Sequence, residues 1–217
     1  MKANIALLIE HAINTIDSLN EGIRFTLEEQ TFLCKHFECI KIRKNEFSIK
    51  TGHFENYLYF IEEGILRYWS LGNKKDATKE ITFWFSFPGE FANSYFSLKS
   101  RQPSVINIQA LTDCVIWRLP KQKLADLYHR SLNANKVARI ILENILLRKI
   151  NHEIQLAGFS SEDMYNELFT KEKELLEKIP LKYIASYIGV TPQTLSLIRK
   201  KILKKEKLQD KGTLGMP

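Results

Sequence analysis

The sequence predicts a mixed α+β chain: a β-sandwich or barrel flanked by helices, then one long helix, then a small helical domain. Three observations carry this. Apolar and polar residues alternate between about residues 39 and 119, which is the period of a strand. A long stretch from Asn133 up to Gly158 lacks proline and internal glycine. A helix, a turn and a second helix are spelled out between Leu181 and Lys200.

Residues 3–36 read as short helices, with Leu27, Phe32, Leu33 and Phe37 at helical spacing. In the strand region Ile40 and Ile42 alternate with charged neighbours. Tyr57, Tyr59 and Ile61 alternate up to Glu62-Glu63-Gly64, and Ile65 to Trp69 follows, which reads as a hairpin. Ile81, Phe83, Phe85 and Phe87 share one strand face, and Pro88-Gly89 ends that strand. Residues Val105–Leu111 and Cys114–Leu119 supply further strands. Many short strands separated by turn residues imply a sandwich or barrel.

Helical spacing returns after Pro120. Val137, Ile140, Asn144, Leu147, Asn151 and Ile154 recur at alternating steps of three and four, and Ile141, Leu142 and Ile145 broaden the stripe. Such a/d spacing suggests self-association, with Asn144 and Asn151 as polar register-setters. The alternative is an ordinary helix packed on its own barrel. The expected dimer interface is Val137, Ile140, Ile141, Asn144, Leu147 and Asn151. Gly158 and Ser160-Ser161 mark a hinge, and Ser161 is the expected cap of the next helix, with Glu162 and Asp163 in its first turn. The expected boundaries are 1–130, 131–159 and 160–217.

A net charge of +7 permits a nucleic-acid partner without requiring one. The excess is uneven: residues 181–211 hold eight basic side chains against Glu206 and Asp210. Charge runs are commonly just solvated faces, so position in a motif must decide. The apolar start at Ile5–Ile9 is broken by Glu10 and His11, so it reads as a helix rather than a signal peptide. No apolar run is long enough to cross a membrane. Three cysteines (Cys34, Cys39, Cys114) are too few for a disulfide framework. The expectation is a soluble, cytoplasmic chain with reduced thiols. An enzyme such as a metal-dependent small barrel is the first rival, but no His-x-His, acid pair with a base, or nucleophile with a partner histidine is present. No catalytic residue, metal or cofactor is therefore expected.

The sharpest signal is the run from Leu181 to Lys200. Leu181, Ile184, Ala185 and Ile188 make one apolar face. Gly189 suits a tight turn, Thr191 a helix cap and Pro192 a first helical position. Leu195, Ile198 and Ile202 make the apolar face of the second helix. Ala185, Gly189 and Leu195 hold spacings that resemble the DNA-binding helix-turn-helix. Its second helix would enter the major groove. Gln193 could pair with adenine, Ser196 could reach either base type, and Leu197 could only pack. Arg199, Lys200 and Lys201, with Lys204 and Lys205, suit phosphates, as do the N-terminal amides of the helix and the Thr191 hydroxyl, while Pro192 and Thr194 are outward positions near the helix start. The alternative for Gln193 and Ser196 is plain solvation.

Taken together, Tyr59-Phe60-Ile61-Glu62-Glu63-Gly64-Ile65-Leu66-Arg67, then Phe87-Pro88-Gly89-Glu90-Phe91, then Pro180 to Ser196 resemble the cyclic AMP receptor protein / fumarate-nitrate reductase regulator (Crp/Fnr) family of bacterial transcription factors. The Thr-Pro-Gln-Thr-Leu-Ser opening is similar to regulators of Bacteroidetes-type bacteria. The resemblance implies a double-stranded β-helix (jelly-roll) effector domain, a dimerisation helix and a C-terminal winged helix-turn-helix. It also implies double-stranded DNA, a second copy of the chain and RNA polymerase as partners. Gly89, Glu90, Phe91 and Ser104 would border an effector pocket for a small molecule.

Departures from the family bear on mechanism. Members that bind cyclic nucleotides carry Arg-Ser some residues after Gly-Glu, the Glu holding the ribose and the Arg the cyclic phosphate. Here the segment reads Arg101-Gln102-Pro103-Ser104, and proline has no donor to offer. Cyclic AMP is therefore not the expected effector; another ligand, or none, is. An iron–sulfur cluster lacks its cysteines, and a lone His53 is a poor case for haem. Leu197 stands where the family usually has arginine, so no operator is assigned. The second rival is a sensor module acting through protein contacts without DNA binding.

Overall fold

The computed structural model describes residues 4–16, 22–72 and 78–213. Sixteen elements follow one another: α1 (Ile5–Ile16), α2 (Leu27–His36), β1 (Glu38–Ile42), β2 (Phe47–Ile49), β3 (Tyr57–Glu63), β4 (Leu66–Leu71), β5 (Glu80–Ser86), β6 (Phe91–Ala92), α3 (Tyr95–Ser100), β7 (Asn107–Ala110), β8 (Cys114–Pro120), α4 (Lys121–Arg130), α5 (Leu132–Gly158), α6 (Ser161–Leu176), α7 (Leu181–Tyr187) and α8 (Pro192–Thr213). They divide into two compact units, Met1–Glu80 with Trp84–Asn151, and Ile81–Phe83 with His152–Pro217.

In the first unit the strands form two four-stranded sheets, ordered β1-β8-β3-β6 and β2-β7-β4-β5. The chain changes sheet repeatedly, as in a jelly roll. The expected hairpin of Tyr57–Ile61 with Ile65–Trp69 is corrected here. β3 pairs with β6 and β8, whereas β4 pairs with β7, in the other sheet. Gly64, at φ +98°, turns a corner between the sheets rather than a hairpin, and the Ile65 N–H donates to Thr112 Oγ1 instead of to the facing strand.

Strand parity explains the core. On β3 and β8, Tyr59, Ile61, Cys114 and Ile116 share one face, buried against the second sheet. Phe60, Trp117 and Leu119 share the other face and join a cluster with Ile5, Ala6, Ile9, Ala12 and Ile13 of α1, Leu124 and Leu127 of α4, and Ala134, Val137 and Ile140 of α5. One sheet is thus covered on both faces. Thr26 caps α2 in a full capping box with Glu29. The Glu29 carboxylate also receives Ser131 Oγ and Asn133 Nδ2, tying α2 to the start of α5.

This corrects part of the expected dimer interface. Val137 and Ile140 are buried in the chain's own core because their side of α5 lies on α1 and α4. Ile141 is half-buried against the same cluster, Asn144 is half-buried, and Leu147 and Asn151 are exposed. The exposed large apolar residues of α5 are Leu132, Leu142, Ile145, Leu146, Leu147, Ile150, Ile154 and Leu156.

The second unit is helical around Met164, Tyr165, Ile179, Ile184, Ala185, Ile188, Leu195 and Ile202. Ser160, not Ser161, caps α6: its Oγ accepts the Asp163 N–H at 3.2 Å. No wing is found among the described residues. Among the described residues no strand follows α7, and α8 continues to Thr213, through a lysine-rich stretch without the alternation a hairpin needs. The side chains of Lys204 and Lys205 lie outside the described residues.

Candidate effector pocket and nucleic-acid interface

The turn after β5 builds one edge of the expected pocket. Gly89 has φ +85°, its N–H donates to Ile61 C=O, and the Ile61 N–H donates to Glu90 C=O. This holds the Glu90 backbone against β3. The Glu90 carboxylate accepts the Phe87 N–H and an ion pair from Arg148 of α5. Arg148 also lies 4.5 Å from the Trp84 ring centre, a distance suited to a cation–π contact. Arg148 was not legible as a site residue, because one arginine in a mixed helix carries no signature. Phe91 is removed from the pocket. Its partner across the sheet is Phe60, on the helix-facing side, and their rings meet at 5.1 Å.

Ser104 belongs to a buried polar network. Its hydroxyl pairs with Ser94 Oγ at 2.9 Å and donates to Ile106 C=O at 2.7 Å. The Ser94 N–H donates to Glu55 Oε2 at 3.1 Å, the Tyr57 N–H to Glu55 Oε1 at 3.2 Å, and the Glu55 N–H to Ser97 Oγ at 3.0 Å. Glu55 is only 2% exposed. Burial pushes its carboxyl above the ordinary range, against the pull of the Ser94, Tyr57 and Asn56 amides. The Tyr68 hydroxyl, which accepts from Ser86 Oγ at 3.2 Å, is pushed up by burial, and both Glu90 and Glu55 lie close enough to add to that. Pro103 precedes this network, and Arg101 is exposed in a left-handed conformation at φ 57°. Glu55 was missed because an acid before a strand reads as a solvated end.

A separate cavity of about 560 Å³ opens between β1 and β2, lined by Ile40, Ile42, Phe47, Lys50, Tyr59 and Arg118 among others. None of the expected pocket residues lines it. No cluster of three His, Cys, Asp or Glu side chains suited to a metal exists among the described residues. No described helix is long and apolar enough to cross a membrane.

In the second unit, α7 and α8 are joined by a turn over residues 188–191. Gly189 has φ +75°, and the Val190 N–H returns to Ala185 C=O at 2.9 Å. Ala185 and Leu195 are fully buried where the helices meet. Thr191 Oγ1 accepts the Thr194 N–H at 3.1 Å and pairs with Thr194 Oγ1. That cap fixes the start of α8. Thr191, Pro192, Gln193, Thr194 and Lys200 are exposed, Leu197 is 67% exposed, and Ser196 and Arg199 are half-buried. The Ser196 hydroxyl donates to Pro192 C=O at 2.9 Å, leaving its lone pairs outward. Lys201 is exposed and its ammonium pairs with Glu162 of α6.

With both sites described, known proteins supply the comparison. Residues 39–131 match the family model described as cyclic nucleotide-binding domain. This part of the chain is similar to a cyclic nucleotide-binding domain. The structure is similar to the c-di-GMP responsive global regulator CLP of Xanthomonas campestris, at 16% identity and TM-score 0.64, covering 83% of this chain and 93% of that one. It is similar to a Crp/Fnr-family regulator of Eubacterium rectale, at 14% identity and TM-score 0.65, covering 83% and 85%. It is also similar to FixK2 of Bradyrhizobium japonicum, at 18% identity and TM-score 0.64, covering 78% and 86%. None of the curated proteins matches. At these identities the structures speak for the fold. A stretch similar to a cyclic nucleotide-binding domain therefore sits in a chain whose fold is shared by bacterial regulators, a Crp/Fnr-family one among them.

Proposed function

We propose that the protein is a homodimeric, cytoplasmic transcription regulator of the Crp/Fnr type that binds double-stranded DNA through α8. The observation that carries this is the start of α8. A capped, sharply turned helix has its apolar side at Leu195 sealed inward while Gln193, Thr194, Leu197 and Lys200 stand in solvent. That is the division of labour a major-groove helix needs: one side anchored, one side free for base edges and phosphates. Gln193 reads a base, and Lys200, Arg199 and the Thr191–Thr194 cap meet phosphates. Lys201 positions α8 through Glu162 rather than touching DNA. A second copy docks on the exposed apolar side of α5 around Leu142, Leu146, Leu147 and Ile150 and places two α8 helices on one site. An effector acts only by preferring one arrangement of that pair. RNA polymerase is the downstream partner, and no catalytic step is assigned.

The test is selection of bound duplexes from a random pool, followed by anisotropy titration of the enriched site from about 50 to 200 mM salt. The expected result is a two-fold symmetric site and a steep loss of affinity with salt. Absence of any DNA affinity at low salt would leave the rival, a sensor acting through protein contacts.

A further inference from the structure

The fold family implies a cyclic nucleotide, and the residues of this pocket do not fit one. We infer that the pocket is filled from within: the Glu55 carboxylate takes the amides that a bound anion would need, so the domain binds no cyclic nucleotide. This rests on the reading of the chain as a Crp/Fnr-type regulator and specifies which ligand class its pocket excludes.

The geometry is a closed accounting of donors. Both Glu55 oxygens are used, by the Tyr57 and Ser94 amides. The Ser94 hydroxyl is bonded to Ser104 Oγ, which also donates to Ile106 C=O and accepts the Ile106 N–H. The Ser97 hydroxyl receives the Glu55 N–H and donates to Gln102 C=O at 2.6 Å. No hydroxyl of the three serines is left to greet a ligand. Ser94, Ser97 and Ser104 are all buried, at 1%, 1% and 2% exposure. Glu90 is likewise committed, to Arg148 and the Phe87 N–H.

Charge argues the same way. A cyclic phosphate brings one negative charge. It would arrive beside Glu55, which has no ion pair among the described residues, with Pro103 offering no donor at all. Burying an anion next to an unneutralised carboxylate is opposed by both desolvation and repulsion. The Glu55 side chain is covalently attached, so it fills the space with no cost in ligand entropy. The same network links the Tyr57 end of β3 to the segments on either side of α3. The neighbouring Glu90–Arg148 pair ties the turn after β5 to α5.

The experiment is calorimetric titration of the full wild-type chain with cyclic AMP, cyclic GMP and cyclic di-GMP to millimolar concentration, beside DNA binding with and without each nucleotide. The expected result is no saturable heat and unchanged DNA affinity. Saturable binding of any of the three would overturn the inference, while leaving the DNA-binding reading intact. The complementary variant is Glu55→Ala, melted at pH 6 in sodium acetate and in sodium chloride at equal ionic strength. The variant is expected to melt lower than wild type and to recover in acetate only, because a free carboxylate refills the vacated place. A folded Glu55→Ala indifferent to acetate would overturn the inference. If Glu55→Ala does not fold, the wild-type titration alone decides. Loss of DNA binding by wild type itself would instead count against the function proposed above.

Discussion

Replacing Gly64 by alanine tests whether the corner between β3 and β4 is as tight as drawn. An added Cβ would stand 2.4 Å from Cys114 Sγ, 2.8 Å from the Asp113 carbonyl oxygen and 2.9 Å from Cys114 Cα. Two of those atoms are backbone of β8 or the turn before it, and cannot swing aside. The left-handed backbone at φ +98° adds its own cost. Gly52 is the internal control. Its φ is +86°, but nothing lies within 4 Å of its added Cβ. Gly52→Ala therefore carries the backbone cost alone, about 1–2 kcal/mol. Gly64→Ala carries that plus overpacking of about 1–3 kcal/mol, which sums to roughly 2–5 kcal/mol. The assay is urea denaturation followed by tryptophan fluorescence. All three tryptophans (Trp69, Trp84, Trp117) lie in the first unit, so the signal reports on that unit. The expected result is a midpoint for Gly64→Ala clearly below that of Gly52→Ala, with the slope unchanged. Adding Cys114→Ala to Gly64→Ala should restore only part of the loss, because the backbone contacts remain. Equal stability of the two single variants would refute the reasoning.

Other outcomes are expected from the same structure. Burial raises the Glu29 carboxyl, but hydrogen bonds from Ser131, Asn133 and Thr26 outweigh it and hold the group below its ordinary range; its contribution is thus present above the unfolded pKa and fades as pH falls through the folded one, so the stability gap between wild type and Glu29→Gln should narrow in acid, read by melts between pH 3 and 7. Ala185→Leu overfills the α7–α8 contact, where Ala185 is 0% exposed, and should abolish DNA binding while leaving the tryptophan-reported transition in place. Gln193→Ala should relax preference at one base position at a cost of about 1–3 kcal/mol, whereas Lys200→Ala should weaken all duplexes alike and lower the salt slope by about one; competition titrations distinguish them. Leu146→Glu, at a site 58% exposed on α5, should turn a dimer into a monomer in sedimentation without lowering the melting temperature of the first unit.

The elements themselves were readable because each depends on neighbours in the chain. The 3.6-residue recurrence in 133–157, the cap at Thr191 and the turn at Gly189 are local events, and they stand where residue type alone puts them. The inward side of α8 at Leu195 and the small Ala185 opposite it followed from spacing. What could not be read was which surfaces meet. Tyr57–Ile61 and Ile65–Trp69 looked like a hairpin, yet each strand found its partners in a different sheet, because strand pairing is chosen by whichever edge is free after the whole barrel closes. Val137 and Ile140 had the pattern of a seam, but a stripe is equally satisfied by α1 and α4, and only packing chose between them. The wing expected from family resemblance is not found among the described residues, where α8 continues instead. Glu55 and Arg148 show the same limit for the pocket. A charged side chain is buried or solvated according to the partners that distant segments bring to it: Glu55 accepts the Ser94 N–H, and Arg148 donates to the Glu90 carboxylate, both far along the chain. Local sequence thus determined where this chain turns and which elements it forms. The tertiary structure alone decided what those elements face, because burial and hydrogen bonding are properties of meeting surfaces and not of any one stretch of residues.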